Sequence, residues 1–460
     1  MWFDLNRYSR RAFAKEARRL LQLALPMMSA QIAAVGVGVV DTAMAGGAGK
    51  NDLTAVALGA SVFVTVFVTF LGVMNALNPI IAQLYGAGKR EAVGETGRQG
   101  LWFGAILGMA GMLSVMLLIA PLQRYLDMHA DVETMLGDYL FYVALALPAA
   151  MLYRALYAYA SSLGKTQAIM WISWAALLLN IPFNYIFVYG KLGIAAMGGA
   201  GCGLATALVF WFNAAALGAY VAKNRFFAPF GLTARFSRPD PAVLKHIWQL
   251  GWPIGLSYFL EVSLFSFVVW LIADLGADTV AAQQITLNIG SITYMIPSAI
   301  GAAATVRVGY CVGLRQFARA KYVSGVALLL SAASALLCML LLILFRDFWA
   351  QRYTNDTDVL AIAGQLLILC AVMQLFDFTQ CVASYALRGY KITRLPMLIH
   401  AITFWGLGLL PGYWLAYGAP AMGIYGFWTA LLLSLGTAAA LLIGYLHRCS
   451  TWLARSPRHC

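Results

Sequence analysis

The chain has 460 residues, of which 62% are hydrophobic and 11% charged, whereas soluble domains carry roughly 25% charged residues. That balance excludes an ordinary water-soluble enzyme, because no soluble core needs a dozen runs of ~20 apolar residues. The formal charge of +13 raises the question of nucleic acid, and the placement of the charge answers it below.

Twelve apolar runs follow one another, at roughly 20–45, 53–80, 94–120, 134–158, 168–189, 198–222, 246–273, 279–305, 321–345, 359–386, 396–417 and 423–446. They are continuous rather than alternating, so they read as spanning helices and not as barrel strands. The fold class expected is an all-α integral membrane protein of twelve transmembrane helices. Ahead of the first run, residues 1–20 are basic and amphipathic, setting Trp2, Phe3 and Tyr8 against Arg7, Arg10, Arg11, Lys15, Arg18 and Arg19. No cleavable signal is visible, and this segment is expected in the inner interface.

All but five of the 31 Lys and Arg residues (the five being Lys50, Arg124, Lys191, Arg346 and Arg352) fall on the termini and the even-numbered connections, or at the helix ends adjoining them. This is the positive-inside pattern, with both termini cytoplasmic. Acidic residues lean the other way, as at Asp52, Asp127, Asp131, Glu133, Asp347, Asp356 and Asp358. The basic excess therefore reports topology, and no nucleic-acid partner is expected. Neither cysteine nor histidine offers a catalytic or structural metal motif. The seven cysteines (Cys202, Cys311, Cys338, Cys370, Cys381, Cys449 and Cys460) form no CxxC, and the five histidines form no HExxH. No enzyme activity and no cofactor are expected.

The chain repeats itself at an offset of roughly 225 residues, as one ancestral unit used twice would. Pro26 matches Pro253, Gly88 matches Gly313, Tyr159-Ala160 matches Tyr385-Ala386, and Lys165 matches Lys391. The run Gly203-x-x-Thr206-Ala207 returns as Gly426-x-x-Thr429-Ala430. The expected domains are an N-terminal six-helix lobe at 1–222, a Pro- and Arg-containing cytoplasmic linker at 223–245 and a C-terminal lobe at 246–460. Duplicated multi-helix halves are the usual build of a transporter. Prolines within the runs (Pro26, Pro148, Pro182, Pro253, Pro297 and Pro411) mark bends.

Among the 18 acidic residues, Asp41, Glu261 and Asp377 lie inside apolar runs. A carboxylate at bilayer depth is costly unless it is paired, protonated or facing water, so each is a functional candidate. The alternative is a structural carboxylate that caps or pairs within the bundle. Gln374, Asp377, Gln380 or Cys381, Ser384 and Arg388 form a polar stripe at helical spacing, Ser257, Glu261 and Phe265 share a face, and Gln284, Asn288 and Ser291 line the eighth helix near Tyr294. In the first half the polar set is Gln31, Asp41, Asn75, Asn78, Asn180 and Asn184, whose amides equally suit plain helix–helix bonding. Two carboxylates in one dry cavity gain from a bound cation or proton, and oxygen ligands suit a hard ion such as Na⁺. A cationic substrate competing for that charge turns exclusion into exchange, which is antiport. Aromatics beside the acids, among them Tyr258, Phe265, Phe267, Tyr294, Phe376 and Phe378, can hold flat lipophilic cations or serve as membrane packing.

Several segments carry a family resemblance in order and spacing: Ala24-Leu25-Pro26, Val40-Asp41-Thr42-Ala43-Met44-Ala45-Gly46, Ala82-Gln83-Leu84-Tyr85-Gly86-Ala87-Gly88, Pro182-Phe183-Asn184-Tyr185, Ala383-Ser384-Tyr385-Ala386-Leu387-Arg388-Gly389 and Gly423-Ile424-Tyr425-Gly426. Over its full length the chain resembles the multidrug and toxic compound extrusion (MATE) transporters, in the NorM-like branch. The resemblance implies the MATE fold, two six-helix bundles related by an approximate twofold axis around a central cleft. It implies export of cationic drugs and dyes in exchange for Na⁺ or H⁺, from a monomer in the lipid of a bacterial inner membrane. It places cation coupling at Glu261 and Asp377, the expected Na⁺ ligands, with Tyr294. It places substrate contacts at Asp41, Gln284, Phe265 and Asp356, although Asn355 departs from a paired acid beside Asp356. The alternative of the same superfamily is a lipid-linked polysaccharide flippase, which would be expected to show a cationic cavity.

Overall fold

The structure, a computed structural model, describes residues 2–125, 130–418 and 421–455; Asp127 and Cys460 lie outside the described residues, as do the side chains of Trp2 and Arg7. Among the described residues the chain is 88% helix with no strand. Twelve helices are long and apolar enough to span a membrane. In the first half these are α1 (Arg10–Ala48), α2 (Lys50–Gly86), α3 (Arg90–Arg124), α4 (Asp131–Ser162), α5 (Thr166–Tyr189) and α6 (Gly199–Lys223). In the second they are α7 (Pro241–Leu275), α8 (Ala277–Gly313), α9 (Phe317–Leu344), α10 (Thr357–Gly389), α11 (Arg394–Tyr417) and α12 (Ile424–Arg455). Every expected run is matched by one of them.

Proline shapes these helices where its missing N–H and its clash with the carbonyl four residues back demand it. α2 turns at Asn75–Ala76, four and three residues before Pro79, and α4 breaks at Leu145, three residues before Pro148. In α11 the strain ahead of Pro411 is absorbed by a widened π segment, Ala401–Leu409, a deviation common where a helix serves a site.

The contacts divide the chain into two compact units, residues 29–255 and residues 1–28 with 256–460. The expected boundary was the linker at 223–245; the observed cuts fall instead two residues after Pro26 in α1 and two after Pro253 in α7. The linker belongs wholly to the first unit because α3 holds it. Arg98 Nη1 donates to the Gly231 carbonyl, Trp102 Nε1 donates to the Ser237 carbonyl at 2.9 Å, and Gln99 bonds both Arg238 and Asp240 at 2.8 Å. A Cβ on Gly94 would stand 1.7 Å from the Phe230 oxygen, so only glycine admits the linker there.

The first unit packs Phe63, Val115, Leu136, Tyr139, Leu147 and their neighbours into one core. Glycines on α3 let the α4 backbone close in: a Cβ on Gly108 would lie 2.6 Å from Pro148 Cα, the small-residue contact that brings membrane helices together. In the second unit α10 runs against α8, α9 and α12, around a core that includes Leu264, Ile285, Leu366, Phe427 and Trp428.

The repeat is visible in the turns. Gly88 and Gly164 (φ +72° and +80°) end α2 and α4, and Arg315 and Lys391 (φ +57° and +61°) stand at the same points after α8 and α10. All four turns close with a bond across five residues, for example Lys89 N to Leu84 O at 3.1 Å and Gln316 N to Cys311 O at 2.9 Å, the Schellman closure of a helix. The pairings of Gly88 with Gly313 and of Lys165 with Lys391 are thereby corrected: the left-handed position equivalent to Gly88 is Arg315, and that equivalent to Gly164 is Lys391. A side chain in that conformation costs about 1 kcal/mol, which the second half tolerates twice.

The N-terminal segment packs its Phe3 and Tyr8 rings against the protein itself. Phe3 is buried against the His447 ring at 5.1 Å, Asp4 accepts from Lys321 at 3.1 Å, and Tyr8 stacks on Tyr322 at 4.0 Å. Deeper in, the buried carboxylate of Glu16 receives Arg307 from α8, with Arg19 at 3.6 Å and Arg319 at 3.5 Å. Removing one partner of a buried ion pair costs about 3–5 kcal/mol because the other charge is stranded. Glu16→Gln is therefore expected to lower the midpoint of thermal unfolding of the purified protein by several degrees, and an unchanged midpoint would show that these arginines are satisfied by solvent.

Candidate cation and substrate sites

Each unit buries a polar cluster among its helices. In the first unit Asp41 of α1 is 7% exposed. Its Oδ1 accepts from Asn180 Nδ2 at 3.1 Å and Asn184 Nδ2 at 2.6 Å, and its Oδ2 accepts from Thr206 Oγ1 at 2.5 Å. Asn180 and Asn184 stand one turn apart on α5, and Asn184 also donates to Asn180 Oδ1 at 3.0 Å, so the two amides present a fixed pair of donors. Three donors converging on one carboxylate suit its ionised form, which only accepts. Asn184 Oδ1 is left without a partner.

The first-half polar set therefore separates. Asp41, Asn180 and Asn184 come together, whereas Asn75 accepts from Arg154 at 2.9 Å and Asn78 bonds Ser161 at 3.3 Å and Ser162 at 3.1 Å. Thr206 was read only as part of the repeat, and its role on Asp41 was missed. The signal available was a hydroxyl on an apolar helix four residues after Cys202, whose Sγ lies 3.4 Å from the Asp41 carbonyl oxygen.

In the second unit, Glu261 of α7, Tyr294 of α8, Gln380 and Arg388 of α10 and His400 of α11 line one small cavity. Its free volume is ≈ 10 Å³, close to the space of a single water-sized occupant. The Tyr294 hydroxyl is within hydrogen-bonding reach of Glu261, and Glu261 lies within electrostatic reach of Asp377. Asp377 Oδ1 accepts from Gln380 Nε2 at 3.1 Å. The Gln380 oxygen lies 3.0 Å from His400 Nε2. Because that oxygen can only accept, His400 carries its proton on Nε2 and leaves Nδ1 bare, and Nδ1 has no partner. The imidazole is held flat on Phe404, with centroids 5.0 Å apart and planes 6° apart. Gly301 makes room for the wall opposite: a Cβ there would sit 2.7 Å from the Tyr385 ring.

Helical spacing on α10 thus brings Gln380, Cys381, Ser384 and Arg388 of the expected stripe to the cavity that Glu261 and Tyr294 line, with Asp377 bonded to Gln380 and Gln374 bonded instead to Thr293 of α8. Other expected residues stand elsewhere. Gln284 is exposed on α8, whereas its neighbour Gln283 is buried and accepts from Trp428 Nε1 at 2.7 Å. Phe265 is half-buried against the apolar core of its unit. Asp356 is an exposed N-cap of α10, accepting from the backbone N–H of Asp358 at 2.9 Å and of Val359 at 3.4 Å. His400 was passed over as one of five scattered histidines. Only the three-dimensional approach of α11 to α10 brings it to Gln380.

A family model described as MatE matches residues 26–186 and again 253–414, each match opening on one of the paired prolines. The chain belongs to the MatE family. It is 58% identical over 456 residues to a probable multidrug resistance protein NorM of Neisseria meningitidis serogroup A, covering 99% of both chains. It is 49% identical to a probable multidrug resistance protein NorM of Chromobacterium violaceum over 98% of this chain and 97% of that one. Among solved structures it is similar to the MATE transporter NorM-NG in complex with a dye and a monobody, at 53% identity, 95% coverage of both chains and a TM-score of 0.82. The eukaryotic MATE transporter AtDTX14 shares the fold at a TM-score of 0.86, 20% identity and coverage of 96% of this chain and 99% of that one. The chain is accordingly a multi-pass, all-helical membrane protein of the MATE fold.

Proposed function

We propose that this chain is a multidrug efflux antiporter that exports cationic lipophilic drugs and dyes by alternating access, in exchange for Na⁺ or H⁺. The observation that carries the reading is the pair of carboxylates, Glu261 and Asp377, gathered beside a one-occupant cavity at membrane depth. Oxygen ligands from carboxylate, phenol and amide suit a hard monovalent cation. In an antiporter the coupling ion is cargo, bound and released once in each cycle. Asp41, with its ring of donors, is the companion acceptor for a substrate cation or proton, and Gln284, Phe265 and Asp356 are proposed as outlying substrate contacts. The duplicated halves at 1–222 and 246–460, joined by 223–245, are the lobes of the transport cycle. We place the protein as a monomer in the lipid of a bacterial inner membrane with both termini cytoplasmic, on the basic bias of the even-numbered connections.

A flippase for an anionic lipid-linked headgroup would need a net cationic cavity, whereas here Glu261 offsets Arg388 in the lining and Asp377, within electrostatic reach of Glu261, tips the balance to negative. Ethidium efflux from proteoliposomes tests the antiporter reading, with a Na⁺ gradient and a H⁺ gradient imposed one at a time. At least one gradient is expected to accelerate efflux several-fold over the gradient-free control; no acceleration by either overturns the reading.

A further inference from the structure

We propose that Arg388 is a built-in counter-charge that limits the Glu261–Asp377 cavity to one added positive charge. The proposal rests on reading that cavity as the coupling-ion site and adds its capacity. Arg388 follows Asp377, Cys381 and Ser384 along one face of α10. It is 5% exposed, and it lines the same cavity as Glu261.

Its charge is held without being neutralised by contact. Nη1 donates to the Tyr258 hydroxyl at 3.0 Å, and that hydroxyl bonds the hydroxyl of Tyr385. The guanidinium carbon lies 4.0 Å from the Tyr385 ring centre and 5.1 Å from that of Tyr258, so two ring faces stabilise the cation. Arg307 shows the contrasting arrangement, a direct ion pair with Glu16. No carboxylate of the described residues makes such a pair with Arg388.

The cavity lining carries one carboxylate, Glu261, and one guanidinium, Arg388; Asp377, within electrostatic reach of Glu261, adds the second carboxylate to the charge that a bound cation meets. His400 donates through Nε2 to Gln380 and is counted as neutral, because a second proton on its buried Nδ1 would find no acceptor. The remainder is one unit of negative charge, which one monovalent cation cancels. A second cation would meet net repulsion from Arg388 and from the first, in surroundings where charge is poorly screened. Volume points the same way, since the cavity admits one occupant. Charge and space therefore set the same limit. Without Arg388 the two carboxylates would call for two positive charges.

The test is equilibrium binding of radiolabelled Na⁺ to the purified full-length protein in detergent at fixed pH, with thermal unfolding as the check on folding. Wild type is expected to bind one Na⁺ per chain. Arg388→Gln, which removes the charge limit and leaves the limit of space, is expected to bind Na⁺ at least about tenfold more tightly, the equivalent of about 1.4 kcal/mol. Arg388→Lys, which keeps the charge, is expected to stay at one Na⁺ with affinity near wild type. Unchanged affinity in Arg388→Gln overturns the proposal. So does binding of two Na⁺ by wild type with both lost in Glu261→Gln, a result that needs no folded Arg388 variant. Failure of the underlying reading looks different: wild type then binds no Na⁺, or binds it equally well when Glu261→Gln and Asp377→Asn are combined.

Discussion

Glu261→Gln and Asp377→Asn are each expected to abolish Na⁺-driven efflux while leaving a folded protein. Each exchange keeps volume and removes one charge from a site whose proposed ligand is a bare cation. Deleting one partner of a buried, dehydrated charge pair costs about 3–5 kcal/mol, or more than about a hundredfold in ion affinity. Stability should move little or upward in the ion-free protein, because neither carboxylate makes a contact ion pair with an Arg, Lys or His among the described residues, so its removal strands no partner. Asp377→Asn can also keep its bond to Gln380 by presenting its amide oxygen to Nε2. Ethidium efflux from proteoliposomes and the thermal midpoint of each variant, with and without Na⁺, decide the matter. Wild-type efflux with unchanged Na⁺ dependence in either variant would remove the residue from the coupling site. A collapsed midpoint in sodium-free buffer would make its role structural.

Much of this arrangement was legible because lipid makes charge conspicuous. Glu261 and Asp377 stand out as carboxylates in apolar runs, and the three- and four-residue spacing of Gln374, Asp377, Gln380, Ser384 and Arg388 is enough to put them on one face of a helix. The repeat announced paired helices through Pro26 and Pro253. Its exact phase was hidden because the diagnostic position is a backbone conformation, filled by Gly88 in one half and Arg315 in the other. Thr206 and His400 were hidden for another reason. A hydroxyl or imidazole alone on an apolar helix has many uses, and only the approach of α6 to α1 and of α11 to α10 selects one. In the N-terminal segment, basic and aromatic alternation marks an amphipathic face but does not say what covers it, and for Phe3 and Tyr8 the apolar partner is the protein itself.

Asp41→Asn is expected to reduce export of monocationic dyes at least about tenfold, with a smaller effect on neutral substrates, and also to destabilise the first unit. The two effects have separate origins. Transport suffers because the only carboxylate of the Asn180–Asn184–Thr206 cluster is lost. Stability suffers because an amide turns one accepting oxygen into a donor that then faces a donor: the Thr206 hydroxyl at Oδ2 or the two asparagine amides at Oδ1. A buried donor left unmatched costs about 1–3 kcal/mol. The hydroxyl can rotate and accept, so the favoured flip places the new amide against Thr206 and keeps both asparagine bonds. Thr206→Val added to Asp41→Asn removes that rotating acceptor and strands the new amide group. The double variant is therefore expected to lose more stability than the two single changes combined, whereas the loss of cationic-dye export should not deepen. Equal loss of cationic and neutral export in Asp41→Asn, tracking the fall in thermal midpoint, would reduce Asp41 to a structural carboxylate. A selective loss with the midpoint restored by stabilising lipid would leave its charge as the feature that cationic substrates require.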